Sequence, residues 1–177
     1  MIYIHTALKP EAQAVIEKFK LKKLSVNIFS NGYIFLIVSG VGNKKTLQIL
    51  QDFIKNTKIS DNECFINIGI CASSNKYNIG DLIEISYVKY KGLTFSINDR
   101  NKETIASLDY PSDNIQNNIA DMESYGFYQA VKNLKNVRMF KVVSDHFEPK
   151  SISKDFVKKL IFENIGDIIE NSSCNWN

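Results

Sequence analysis

The sequence predicts an α/β protein: a single three-layer domain over residues 1–177, with a mixed central β-sheet flanked by helices. Three observations predict it. Short β-branched and aromatic runs alternate with stretches whose apolar residues recur at helical spacing. Asn31-Gly32 separates two apolar runs, so an antiparallel hairpin sits among strands otherwise joined through helices. The composition, 44% hydrophobic and 23% charged over 177 residues, suits a chain that buries one core.

Each element follows in order. Met1–Thr6 reads as a strand, and Pro10 suits the first turn of the helix that follows, with Ala12, Val15, Ile16 and Phe19 on its apolar face. Leu24–Ser30 and Tyr33–Ser39 form the two arms of the hairpin. Gly40-Val41-Gly42 ends the second arm, and Leu47, Leu50, Phe53 and Ile54 stripe the next helix. Glu63–Ile68 is strand-like and enters Gly69 and a polar loop closing at Gly80-Asp81, after which Leu82–Tyr90 reads as one long strand. The segment from about 94 to 118 is polar, carries Pro111 and is expected to be irregular. Phe127, Ala130, Val131 and Leu134 mark a helix, Val137–Val143 a strand, and Val157 to Ile168 a closing helix with Ser153 as N-cap. The tail 171–177 is expected to fray, with Trp176 able to dock.

Composition excludes several functions. The net charge of +3 comes mostly from scattered lysines, with Arg100 and Arg138 the only arginines, so no nucleic-acid partner is expected. No stretch approaches the apolar length of a membrane span, and Met1–Thr6 is too short for a secretory core. Cys64, Cys71 and Cys174 include no CxxC pair, so a reduced, cytoplasmic protein is expected. His5 and His146 lack companions at ligand spacing; neither a metal nor a cofactor is expected.

Three acids stand out. Glu123 lies in line with Phe127, Ala130 and Leu134, so its carboxylate borders a buried stripe and needs a partner. That partner is either the helix N-terminus itself or a ligand hydroxyl. Asp145 follows an apolar strand: it is a turn former or, if burial keeps it protonated, a general acid. Glu11 is a first-turn acid with the same ambiguity. All three lie just beyond predicted strands, where α/β proteins bind small molecules. Gly40-Val41-Gly42 lacks the spacing of a nucleotide-binding P-loop, and Cys71 has no evident activating base.

These segments together resemble the purine nucleoside phosphorylase and nucleosidase superfamily. Ala7-Leu8-Lys9-Pro10-Glu11 is similar to the Ala-Met-Glu-Glu-Glu start of methylthioadenosine/S-adenosylhomocysteine nucleosidases. Ser39-Gly40-Val41-Gly42 resembles the family's Ser-Gly-Ile-Gly turn. Asn67-Ile68-Gly69 with Ile79-Gly80-Asp81-Leu82-Ile83 is similar to Asn-Thr-Gly and Val-Gly-Asp-Ile-Val. Asp121-Met122-Glu123-Ser124 resembles Glu-Met-Glu-Ala, and Val143-Ser144-Asp145 resembles Ile-Ser-Asp.

The resemblance implies a nucleoside phosphorylase-like fold and an N-glycosidase acting on a small-molecule nucleoside. Asp145 would protonate N7 of a purine leaving group, and Glu11 would orient water against the anomeric carbon. Glu123 would hold ribose hydroxyls over Met122, and Gly69, Ile70 and Ser144 would line the substrate. Such a reaction, with an oxocarbenium-like transition state, needs an acid and a nucleophile on opposite faces. The resemblance also implies a homodimer or larger homo-oligomer. Three features differ from the family pattern. The interval from Ile83 to Ala120 is short and lacks the segment that supplies a base-stacking aromatic, for which Phe95 or Tyr110 is a substitute. Gly69-Ile70-Cys71-Ala72 replaces Gly-Ser-Ala-Gly, and Lys141 stands where arginine is frequent. Two alternatives therefore stay open: a nucleoside-binding module without catalysis, and a phosphate-dependent phosphorylase.

Overall fold

The computed structural model describes residues 1–112, 118–148 and 152–171. The elements run β1 (Ile2–Thr6), α1 (Lys9–Phe19), β2 (Lys22–Lys23), β3 (Ile28–Ser30), β4 (Ile34–Val38), α2 (Asn43–Asn56) and β5 (Cys64–Ser73). Next come β6 (Leu82–Glu84), β7 (Tyr87–Tyr90), β8 (Leu93–Ser96), β9 (Thr104–Ser107) and β10 (Ile119–Asp121). The chain continues through α3 (Ser124–Val131), β11 (Val137–Asp145) and α4 (Lys154–Asn171).

The sheet is mixed, as the sequence predicts. Its order is β2-β3-β4-β1-β5-β10-β9-β7-β8, with β11 beside β5 and β6 beside β11. The long strand β5 organises it. Parallel β1 follows β5 from Cys64 to Asn67, antiparallel β10 meets it at Ala72 and Ser73, and parallel β11 runs beside it from Phe65 to Ala72. Helices cover both faces. On one face α1 and α4, the latter through Ile161, pack together over Ile4, Ile66 and Val142. On the other, Leu50 of α2 and Phe127 of α3 pack with Tyr3, Phe65 and Met139 of the sheet. The strands facing these layers are apolar on both sides, as burial between two helix layers requires.

The contact between α2 and α3 depends on Gly126. A Cβ there would lie 2.2 Å from the Asn43 carbonyl oxygen, so only glycine permits this approach. The Asn43 side chain fastens the same junction, its Oδ1 accepting from the Gly126 N–H at 2.9 Å and the Ser107 hydroxyl at 3.0 Å.

The boundaries differ from expectation at several points, each with a local reason. Leu24–Ser30 is not one strand: Leu24 and Ser25 turn back onto the Ile28 carbonyl, so Lys22–Lys23 pairs with Ser30 and Phe29. The predicted hairpin at Asn31-Gly32 forms, with the Asn31 carboxamide accepting the N–H groups of Tyr33 and Ile34. Leu82–Tyr90 divides at Ile85-Ser86 because β6 pairs with β11 whereas β7 pairs with β8 and β9. The segment from 94 to 118, expected to be irregular, carries most of β8 and all of β9; residues 113–117 lie outside the described residues. Ser153 caps α4 as expected, its hydroxyl accepting the Phe156 N–H at 3.2 Å. The expectations for the tail, Trp176 included, fall on 172–177, also outside the described residues. Cys71 is a free, buried thiol. No helix among the described residues is long and apolar enough to cross a membrane.

Candidate active site

Four strand ends meet at one edge of the sheet. Beyond β1 the chain turns at Ala7-Leu8 into α1, which places Glu11 one turn into the helix. Although it follows a helix start, Glu11 is no surface decoration, being 2% exposed. Its Oε2 accepts the N–H groups of Ala7 at 3.0 Å and Leu8 at 2.8 Å, and its Oε1 accepts that of Ile70 at 2.9 Å. Burial raises its pKa; the three N–H donors and the nearby Lys141 charge work in the other direction.

Gly69 is what admits this carboxylate. A Cβ at Gly69 would stand 3.2 Å from Glu11 Oε1 and 3.3 Å from Lys141 Nζ, so the two charged groups share the space a side chain would take. Lys141 is itself buried in β11 and pairs with Asp121 at the end of β10, 2.8 Å away, with side chains 2% and 1% exposed. Asp121 also accepts the Ser124 hydroxyl at 2.6 Å and the Ser124 N–H at 3.1 Å. Burial opposes the Lys141 charge, but Asp121, with Glu123 and Glu11, outweighs it and holds the ammonium above its ordinary pKa.

Glu123 is the residue immediately before α3, not a member of its stripe, and its Oε1 accepts the Gly42 N–H at 2.8 Å. Desolvation and the Asp121 charge push its pKa up to about 7. Asp145 closes β11 after a register shift at Ser144. Its Oδ2 accepts the Ser144 hydroxyl at 2.7 Å and its Oδ1 the Phe147 N–H at 3.0 Å. The Ser144 hydroxyl also lies 3.1 Å from the Cys71 carbonyl, so the shift is pinned to β5.

Glu11, Ile70, Met122, Glu123, Ser144 and Asp145 line one cavity of about 190 Å³. It shares Ala72, Ala120, Asp121, Met122 and Asp145 with a larger cavity of about 590 Å³, walled further by Leu108, Pro111, Ser112, Phe147 and Glu148. Six of the seven site residues expected from sequence thus border the same space, and Gly69 lies under it. The two aromatic candidates do not border it. Phe95 packs on Tyr125 and Tyr128, with ring centroids 5.4 and 5.0 Å apart, and Tyr110 is 80% exposed. Phe147, which sequence reasoning passed over, supplies the aromatic wall instead.

His5 sits deeper, behind the cavity. Its Nδ1 lies 2.8 Å from Asn67 Nδ2 and its Nε2 2.9 Å from Ser39 Oγ. The Asn67 side-chain N–H donates to Nδ1, so the imidazole is neutral with its proton on Nε2, facing Ser39 Oγ. Burial, aided by the Lys141 charge, lowers its pKa to about 3. Burial likewise pushes the Cys71 thiol up, so it is no nucleophile at neutral pH. Among the described residues no group of three or more His, Cys, Asp or Glu is placed to hold a metal ion.

No protein-family model matches the sequence, and no curated protein matches it. Solved structures do. The methylthioadenosine/S-adenosylhomocysteine nucleosidase of S. pneumoniae, solved with a transition-state inhibitor, superposes with a TM-score of 0.80 at 14% identity, covering 98% of each chain. A Helicobacter pylori enzyme of the same kind, a mutant with 5′-methylthioadenosine in its active site, gives 0.79 at 11% identity over 96% of this chain and 98% of that one. The futalosine hydrolase of Helicobacter pylori gives 0.78 at 12% identity over 96% and 97%. The chain has the fold of the nucleoside phosphorylase and nucleosidase superfamily.

Proposed function

We propose that this protein hydrolyses the N-ribosyl bond of a purine nucleoside or a related ribosyl compound. The observation that carries the reading is the convergence of Glu11, Glu123 and Asp145, from three separate parts of the chain, on one cavity that opens into a larger one. In this mechanism Asp145 delivers a proton to the departing base. Glu123 accepts from ribose hydroxyls through the oxygen not engaged by Gly42, and Met122 packs beneath the sugar. Glu11, held by its three backbone donors, orients the attacking water. Leaving-group protonation and water on the opposite face are what an oxocarbenium-like transition state requires.

Hydrolysis is favoured over phosphorolysis by the charge of the cavity. Glu11, Asp121 and Glu123 repel a phosphate, and the ammonium beside them, Lys141, is already engaged by Asp121. The nucleosidases sharing the fold support a hydrolase at the level of reaction class. A small-molecule nucleoside partner, a homo-oligomer and a cytoplasmic location belong to the same proposal. A second reading, recognition without cleavage, draws on Ile70, whose N–H is spent on Glu11 and whose side chain brings no hydroxyl to the cavity.

The test is base release from methylthioadenosine, S-adenosylhomocysteine, adenosine and inosine, with and without phosphate, followed by chromatography. Release without phosphate that disappears in Asp145→Asn is the expected result. Binding without release selects the second reading, and release only with phosphate selects a phosphorylase.

A further inference from the structure

Ser144 is the extra residue in the pairing of β11 with β5. Val143 stands opposite Cys71 and Asp145 opposite Ala72, so the register passes over Ser144. A residue inserted in this way leaves the ladder, and its side chain can be aimed elsewhere. Here the side chain is 4% exposed, and its hydroxyl reaches two oxygens. The Cys71 carbonyl oxygen is 3.1 Å away, and Asp145 Oδ2 is 2.7 Å away.

A serine hydroxyl carries one hydrogen, whereas a carbonyl oxygen and an ionised carboxylate only accept. With Asp145 ionised, that one hydrogen faces two acceptors, and one of the two contacts brings lone pairs together. With a proton on Oδ2 the count closes: Oδ2 donates to Ser144 Oγ, and Ser144 donates to the Cys71 carbonyl. Asp145 Oδ1 takes no part, since it accepts the Phe147 N–H at 3.0 Å. The separation of 2.7 Å suits a hydrogen bond between hydroxyl and carboxyl in either direction.

We propose that Ser144 is a positioning residue for the proton on Asp145: its hydrogen bonds the Cys71 carbonyl while Oδ2 is protonated and swings to Oδ2 when that proton leaves. The proposal rests on the reading of Asp145 as the proton donor. In that reaction the proton passes from Oδ2 to a ring nitrogen of the base, and the electron pair of the N-ribosyl bond leaves with the base. Water adds at the anomeric carbon and passes its own proton to Glu11. The carboxylate left on Asp145 gains a donor without backbone movement, because rotation about the Ser144 Cβ–Oγ bond is enough. A donor already in place where charge appears lowers the barrier to its appearance.

Carbon NMR of protein labelled at its aspartate carboxyls reads the Asp145 titration directly, the signal being assigned by its absence from Asp145→Asn. Ser144→Ala removes the hydrogen from both contacts, and Ser144→Thr keeps a hydroxyl. The Asp145 titration should move to higher pH in Ser144→Ala, where the ionised form loses its donor, and should stay with the parent in Ser144→Thr. Base release from methylthioadenosine and adenosine should lose roughly tenfold in kcat in Ser144→Ala with KM within about twofold, and Ser144→Thr should restore it. The thermal midpoint reports separately on the lost tie to β5. An Asp145 titration unmoved by Ser144→Ala overturns the proposal, whatever happens to kcat. So does a kcat close to that of the parent, and a rise in KM alone would make Ser144 a substrate contact instead. If the unmodified protein releases no base while the titration moves as expected, the hydrolase reading falls and the linkage of Ser144 to the Asp145 proton stands.

Discussion

The carboxylate of Glu123 accepts the backbone N–H of Gly42 at 2.8 Å, bridging 81 residues and joining the starts of α2 and α3. One oxygen is thus structural, and the other accepts no hydrogen bond among the described residues. The α2 N-terminus favours the anion, yet desolvation and Asp121 raise the group to about 7.

That shift predicts a pH dependence for stability. The folded state holds the Glu123 proton more tightly than the unfolded chain does, relative to an ordinary value of 4.5. Its contribution is fully present below pH 4.5 and is lost as pH rises toward 7. Glu123→Gln keeps an oxygen for Gly42 and removes the titration. Urea unfolding at pH 5 and pH 8 should show a smaller drop in the variant, by on the order of 2 kcal/mol. An identical drop in both proteins would assign the titration elsewhere.

His5 predicts the opposite limb. Its folded pKa of about 3 lies below the ordinary 6.5, so the unfolded chain takes up the proton first. Its contribution is present above pH 6.5 and disappears as pH falls toward 3. Thermal midpoints of His5→Gln should fall less steeply than those of the unmodified protein between pH 6.5 and pH 4.

Removing the charge of Lys141 strands Asp121 in a buried site. Lys141→Met should cost about 3–5 kcal/mol, the usual penalty for one half of a buried pair. Lys141→Met combined with Asp121→Asn should recover much of that loss, as read from denaturation midpoints. A double variant no more stable than the single one would mean that the pair is not the source of the penalty.

Gly126→Ala places a methyl group 2.2 Å from the Asn43 carbonyl oxygen, a backbone atom that cannot swing aside. The α2–α3 contact has to open, and a loss of about 3 kcal/mol or more is expected in equilibrium unfolding. Gly32→Ala offers a comparison: nothing lies within 4 Å, and only its φ of +93° opposes the change.

Layer order and most elements were legible because apolar periodicity reports burial directly, and the acids were legible because each follows a strand. What escaped has physical reasons. β8 and β9 are four residues each, too short and too polar for alternation to register. Partner switching at Ile85-Ser86 is a tertiary event with no local signature. Lys141 did leave a trace, a lysine inside the apolar run Val137–Val143, but Asp121 as its counter-ion required the fold. Phe147 left none, since neither a left-handed φ nor a place on a cavity wall can be read from a phenylalanine after a histidine.

The place of β11 beside β5 also ties the charge balance of this sheet edge to a single strand pairing. Glu11, Asp121 and Glu123 all leave the ribosome before Lys141, and β11 must dock along Phe65–Ala72 to bring the ammonium in. Until β11 is in place, Glu11, Asp121 and Glu123 lack the buried ammonium that stands beside them in the folded protein. Pairing of β11 with β5 supplies that ammonium and Asp145 from one strand, so charge balance and the proposed proton donor arrive together.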